Sequence, residues 1–137
     1  MHTEFAPAER ASKDEIQRQH RLFQDSPLMV QMLDAVPDIV VVLNQERQIV
    51  YANRSLYDTL GINAEDIELV CGSRTGEVLK CVHAFESVGG CGTTDFCRTC
   101  GAVQATLSSL EKKADVQECR IIRDQTGEAL DLCVWAK

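Results

Sequence analysis

The chain is short of aromatic residues, with four Phe, two Tyr and one Trp among 137 residues. That inventory is thin for a pocket around a large flat organic cofactor, because such pockets are lined chiefly by apolar and aromatic side chains. Basic residues are also outnumbered, 14 Lys and Arg against 21 Asp and Glu, for a net charge of −7. No basic stripe is present, so a surface that tracks phosphates is excluded and no nucleic-acid partner is expected. No apolar run approaches the roughly 18 residues of a membrane span. The opening Met1-His-Thr-Glu-Phe-Ala-Pro-Ala-Glu-Arg10 lacks the basic-then-apolar layout of a secretory signal. These absences lead to the expectation of a cytoplasmic protein without membrane contact. Glu77, Glu86 and Asp95 have no nucleophile-base pair or phosphate-cradling loop to serve, so they read as solvated carboxylates and no enzymatic activity is expected.

Cysteine, by contrast, is plentiful. Four of the seven cysteines fall in Cys81-Val-His-Ala-Phe-Glu-Ser-Val-Gly-Gly-Cys91-Gly-Thr-Thr-Asp-Phe-Cys97-Arg-Thr-Cys100, in the pattern C-x9-C-x5-C-x2-C. The glycines at 89, 90, 92 and 101 let this segment wrap closely around a small object. In a reducing compartment, clustered thiols bind metal or carry redox chemistry more often than they form structural disulfides. Cys81, Cys91, Cys97 and Cys100 are therefore the candidate ligands. An iron–sulfur cluster takes four thiolates and accepts irregular spacing around one close pair, which matches this pattern and makes a 4Fe–4S cluster the first candidate. Structural zinc also takes four thiolates, but its common sites use two close pairs, and here Cys81 and Cys91 are far apart. Metal-free thiols or a reversible disulfide form the third reading. Covalent c-type haem is disfavoured because Gly101 stands where the motif needs histidine.

His83 and Cys71 are reserve ligands. His83 reads more readily as an outer hydrogen-bond donor than as a ligand. Cys119 and Cys133 read as ordinary small buried residues of strands, and His2 and His20 as surface groups without a role.

Around this segment the chain alternates helical and strand signals, an α+β pattern. Residues 1–25 are polar, and Ser12 followed by Glu15 marks the start of a leader or signalling helix that docks loosely. Residues 26–137 form the domain proper. Ser26 and Pro27 open an amphipathic helix with Leu28, Met29, Met32, Leu33 and Val36 on its core face. Asp38–Asn44 and Ile49–Tyr51 read as a hairpin, and Asn53 caps a short helix with Leu56, Tyr57 and Leu60 inward and Gly61 at its end. Ala102–Leu110 reads as a helix burying Val103, Thr106, Leu107 and Leu110, with Cys97 and Cys100 at its N-terminus, where free amides favour thiolates. Val116–Arg123 and Ala129–Trp135 complete four strands.

The stretch Val-Pro-Asp-Ile-Val-Val-Val-Leu-Asn44, a short turn, Ile-Val-Tyr-Ala-Asn-Arg-Ser55 and a helix ending in Leu-Gly61 resemble the opening of a PAS sensory domain, over roughly residues 30–136. The cysteine segment that follows resembles a cysteine-rich subgroup of PAS domains in bacterial signalling proteins such as sensor histidine kinases. This resemblance implies an antiparallel sheet with flanking short helices, and an input module for a linked or partner output domain, as in two-component systems. It also implies five strands, the last pairing with the first, whereas four are counted before Lys137. An unpaired edge along Asp38–Leu43 would favour association, so a homodimer through that strand or the leader helix is expected, with the chain a fragment or the gap filled by another segment.

Overall fold

A computed structural model describes residues 2–137. The chain forms two compact units, one of Arg10–Ser73 and one of Met1–Glu9 with Arg74–Lys137. Helices and antiparallel strands occur together, the α+β class expected.

In the unit of Arg10–Ser73, helix α1 spans Lys13–Gln24. Ser12 Oγ accepts a hydrogen bond from the Glu15 amide at 3.2 Å, satisfying one of the free donors of the first turn. The helix buries Ile16 and His20, and Phe23 stacks on Tyr51 with ring centroids 5.1 Å apart. It is thus packed more firmly than a loosely docked leader. Helix α2, Pro27–Asp34, begins where Ser26 and Pro27 predicted, but its expected core face is open. Leu28 and Met32 are 70% and 64% exposed, because the neighbouring helices half-bury only Val30 and Leu33.

Strand β1, Val41–Leu43, pairs antiparallel with β2, Ile49–Ala52. The intervening turn is made by Asn44, whose Oδ1 accepts from the amides of Glu46 and Gln48 at 3.1 and 2.9 Å. β1 is shorter than the predicted Asp38–Asn44 because fully buried Asn53 takes over its beginning. The Asn53 side chain accepts from the Val40 amide at 3.0 Å and donates to the carbonyls of Asp38 and Leu33 at 2.9 and 3.0 Å. The long apolar edge foreseen along Asp38–Leu43 shrinks accordingly. Helix α3, Arg54–Leu60, follows Asn53, buries Leu56 and Tyr57 and ends at Gly61, which adopts φ 68° as the closing left-handed residue. A short 3-10 turn, Ile67–Leu69, leads to Cys71.

In the other unit, the N-terminal segment pairs with the cysteine loop through Glu4 N–H to Thr93 O and Ala6 N–H to Gly92 O, both 3.0 Å. Helix α4, Thr75–Val78, precedes 3-10 turns at Val82–Phe85 and Asp95–Thr99. Helix α5, Gly101–Leu110, buries Gly101, Val103 and Ala105. Its buried row is narrower than predicted, for Leu110 is 38% exposed. Strands β3, Asp115–Ile122, and β4, Ala129–Ala136, form an eight-residue antiparallel ladder that packs against α5. Side chains alternate along both strands, as strand geometry requires. Cys119 and Ile121 lie on the buried face, and Cys133, opposite Glu118, is exposed. The reading of Cys133 as buried is therefore corrected by its register.

Candidate metal centre

Cys81, Cys91, Cys97 and Cys100, the four predicted ligands, all belong to the unit that contains α5 and the β3–β4 ladder. Cys81 follows α4 and forms an isolated bridge with Arg123 at the end of β3. Cys91 sits in the loop held by the N-terminal segment. Cys97 lies in the second 3-10 turn, with its Sγ 3.2 Å from Thr94 Oγ1, and Cys100 is the N-cap of α5. A fifth cysteine joins them, since Cys100 Sγ is 3.5 Å from Cys119 Sγ on β3. Reading Cys119 as an ordinary core residue missed this contact. Its inward strand position was legible, but the facing helix terminus was not.

The close approach depends on Gly101. A Cβ there would collide with the carbonyl oxygen of Glu118 and reach 3.0 Å from Gln117 Cβ, so only glycine lets the start of α5 lie on β3. Gly76 has a comparable role between two other cysteines. A Cβ at that position would stand 2.7 Å from Cys91 Sγ and 3.5 Å from Cys81 Cβ, filling the space into which these residues face.

The thiols influence one another. Burial pushes Cys81 up, against backbone amides of His83 and Ala84 that favour its thiolate, and charges on Cys100 and Cys97 push it further. Burial pushes Cys91 up to about 12, with the Gly76 amide opposing and Cys97, Cys100 and Cys81 adding to the rise. The contact with Cys119 is the largest effect on Cys100 and raises it, followed by burial; the amides of Val103 and Ala102 at the helix start oppose both. The same contact draws Cys119 down to about 6, while burial and charges on Cys81 and Cys91 resist. Cys100 and Cys119 thus titrate as one pair. Buried thiols carrying several negative charges repel, and a bound cation relieves that repulsion by taking them as thiolates.

The donor set fits a metal group of soft character: five thiols in one unit, a glycine cradle between two of them, and amides directed at three sulfurs. Among the described residues, no three His, Cys, Asp or Glu side chains converge as ligands of a single ion would. A tetrahedral zinc with sulfurs at about 2.3 Å needs such tight convergence, whereas a cluster of several atoms spreads its ligands more widely.

The two reserve residues have side-chain partners of their own. His83 stacks on Phe96 with centroids 3.6 Å apart, and its Nδ1 is 2.9 Å from Glu86 Oε1. Cys71 belongs to the other unit, where its Sγ lies 3.5 Å from both His20 Nδ1 and the Val50 carbonyl oxygen. His20 is buried rather than a surface group, and its Nδ1 is 2.9 Å from that same carbonyl. Glu77 is likewise no solvated carboxylate: it accepts from the Arg74 amide at 2.8 Å and the Cys91 amide at 3.3 Å.

Arg74 is the organiser that the sequence did not disclose. It is 1% exposed, and its guanidinium donates to the carbonyls of Gly89 and Glu9 at 2.9 and 3.0 Å, with longer bonds to Ala8 and Cys91. One side chain therefore ties the cysteine loop to the N-terminal segment.

The profile of the PAS domain family matches residues 17–90, just over half of the sequence. The chain belongs to the PAS domain family, whose members suggest a sensory or regulatory role. The match ends one residue before Cys91, so Cys91, Cys97 and Cys100, helix α5 and the β3–β4 ladder with Cys119 all lie outside the matched residues. No curated protein and no solved structure matches the chain. Among the described residues, no helix is long and apolar enough to cross a membrane.

Proposed function

We propose that this PAS domain is an input module that binds an iron–sulfur cluster, 4Fe–4S in the first instance, through Cys81, Cys91, Cys97 and Cys100. It reports redox state or oxygen to a linked or partner output domain such as a histidine kinase, in the cytoplasm, and has no enzymatic activity of its own. What supports this reading is that these four thiols fall in one unit, with backbone amides favouring the thiolates of Cys81, Cys91 and Cys100. Hydrogen bonds to cluster sulfurs tune the potential of such groups.

When bound, the cluster supplies one-electron chemistry and sensitivity to oxidants. The chain's own residues hold and transmit. Amides of Gly76, His83, Ala84, Ala102 and Val103 favour thiolates on Cys91, Cys81 and Cys100. Cys100 caps α5, and Gly101 presses that helix onto β3. A change of charge or position at Cys100 therefore acts on the α5–β3 packing, a two-state contact an output domain can read.

Zinc in a purely structural role is the competing reading, because structural zinc also takes four thiolates. Anaerobic purification with elemental analysis distinguishes them. Iron and sulfide in a brown protein, lost on replacing Cys91, Cys97 or Cys100 by Ser and kept in Cys133→Ser, support the cluster. Colourless protein with one equivalent of zinc overturns it.

The reading includes a homodimer as the signalling form. Leu22, Leu28 and Met32 expose apolar side chains on α1 and α2, the leader region expected to associate. Light scattering that finds a monomer at high concentration overturns that part.

A further inference from the structure

Cys119 has no place in the predicted ligand set, yet its sulfur lies 3.5 Å from that of Cys100, 19 positions away in sequence. The approach is built into the backbone. Gly101 fits against Glu118, fixing residue 100 beside residue 119, and the buried face of β3 directs the Cys119 side chain toward the start of α5. A disulfide has its sulfurs about 2.04 Å apart, so closing this pair takes a shift of about 1.5 Å, within the reach of small side-chain rotations.

We propose that Cys100 and Cys119 form a reversible disulfide when the chain carries no metal group. Hydrogen peroxide is an oxidant small enough to reach the pair. One sulfur of the pair attacks a peroxide oxygen as its thiolate; the O–O bond breaks, giving a sulfenic acid on that cysteine, and the thiol proton leaves in one water. The sulfur of the other cysteine then attacks the sulfenic sulfur, the S–O bond breaks, and hydroxide leaves with a proton as the second water. Two thiols lose two electrons and two protons, and peroxide is reduced to two waters. A small thiol reductant reverses the bond by exchange.

The bond itself stands apart from the cluster proposal, but its consequence rests on it. A disulfide at Cys100 removes one of the four proposed ligands, so an oxidised chain cannot be loaded until it is reduced. The pair would thus separate two oxidative outcomes, change in the bound group and locking of the empty site.

The test uses the full chain stripped with a chelator, reduced, and treated with peroxide. Peptide mapping without reductant should find one disulfide joining the Cys100 peptide to the Cys119 peptide, with the intact mass lower by two hydrogens, and restoration by dithiothreitol. Cys119→Ser should abolish that bond and Cys133→Ser should leave it. Bonding of Cys100 to Cys91 or Cys97 instead, or oxidation of Cys100 to sulfinic acid with no bond, overturns the proposal. Incubation of the oxidised chain with ferrous iron and sulfide should give no cluster until dithiothreitol is added. A mapped Cys100–Cys119 bond with unimpaired loading keeps the disulfide and overturns the ligand role of Cys100.

Discussion

Gly101 stands against the carbonyl oxygen of Glu118 so closely that a single methyl group cannot be placed between them. Gly101→Ala must push the start of α5 off β3 and is expected to destabilise the protein by about 1–3 kcal/mol, the usual range for overpacking a tight contact. Urea unfolding measures it. Gly61→Ala offers a contrast, since nothing lies within 4 Å of a Cβ there and only its φ of +68° resists the change. Gly61→Ala should therefore cost less and leave the Cys100–Cys119 pair intact, whereas Gly101→Ala should separate it. Equal effects on thiol pairing would show that Gly101 does not set the approach.

Arg74 holds the cysteine loop through carbonyls rather than through apolar packing. Removing its guanidinium leaves several buried acceptors without their donor, each of which costs about 1–3 kcal/mol when unsatisfied. Arg74→Ala is expected to lower stability by at least about 3 kcal/mol. Arg74→Lys should recover only part, because an ammonium is a point donor and cannot span Gly89 and Glu9 as a fork does. Thermal unfolding of both variants checks the order; a lysine variant as stable as the native chain would mean that charge alone suffices.

Much of the local structure was legible because it is set by neighbours in sequence. Ser12 with Glu15, Pro27, the Asn53–Gly61 helix and the alternating strands β3 and β4 each carry their own signal. What failed needed a partner distant in the chain. The apolar row of α2 has helical spacing, but periodicity cannot say whether another element covers it, and Leu28 and Met32 remain exposed. β1 has strand propensity from residue 38, but Asn53, some fifteen positions later, claims the backbone groups there. At the site, the four close cysteines announced themselves by spacing, whereas Cys119, His20 and Arg74 acquire meaning only through contacts at long range. Arginine and histidine are usually exposed, so no local signal marks either residue for burial.

Metal removal should weaken the fold. The segment 82–100 has only two 3-10 turns, and Phe85, Val88 and Phe96 are exposed, so little apolar burial offsets the entropy of ordering it. A group that binds only the folded chain stabilises it by roughly 3 kcal/mol at about a hundredfold excess over its Kd. Anaerobically purified protein is therefore expected to have a clearly higher Tm before chelation than after, with the loss restored by iron and sulfide. Equal midpoints before and after chelation would mean that the thiols hold nothing of structural consequence.

Alkaline pH provides a separate probe of the other unit. Burial raises the Cys71 thiol from its ordinary 9.0 to about 11. Below pH 9 the thiol is protonated in both the folded and the unfolded chain, and its ionisation contributes nothing to the pH dependence. Above that value the unfolded chain ionises first while the folded chain keeps its proton, so the unfolded state gains and stability falls. The decline runs from about pH 9 to about pH 11 and then levels off, once the folded chain ionises too. Tyr51 and Tyr57, also raised by burial, act in the same direction at higher pH. Urea midpoints of the native chain and of Cys71→Ala should run parallel below about pH 9, and from about pH 9 to about pH 11 the native midpoint should fall relative to that of the variant, which lacks the titrating group. Curves that stay parallel across that range would show that the Cys71 thiolate is accommodated beside His20 without cost.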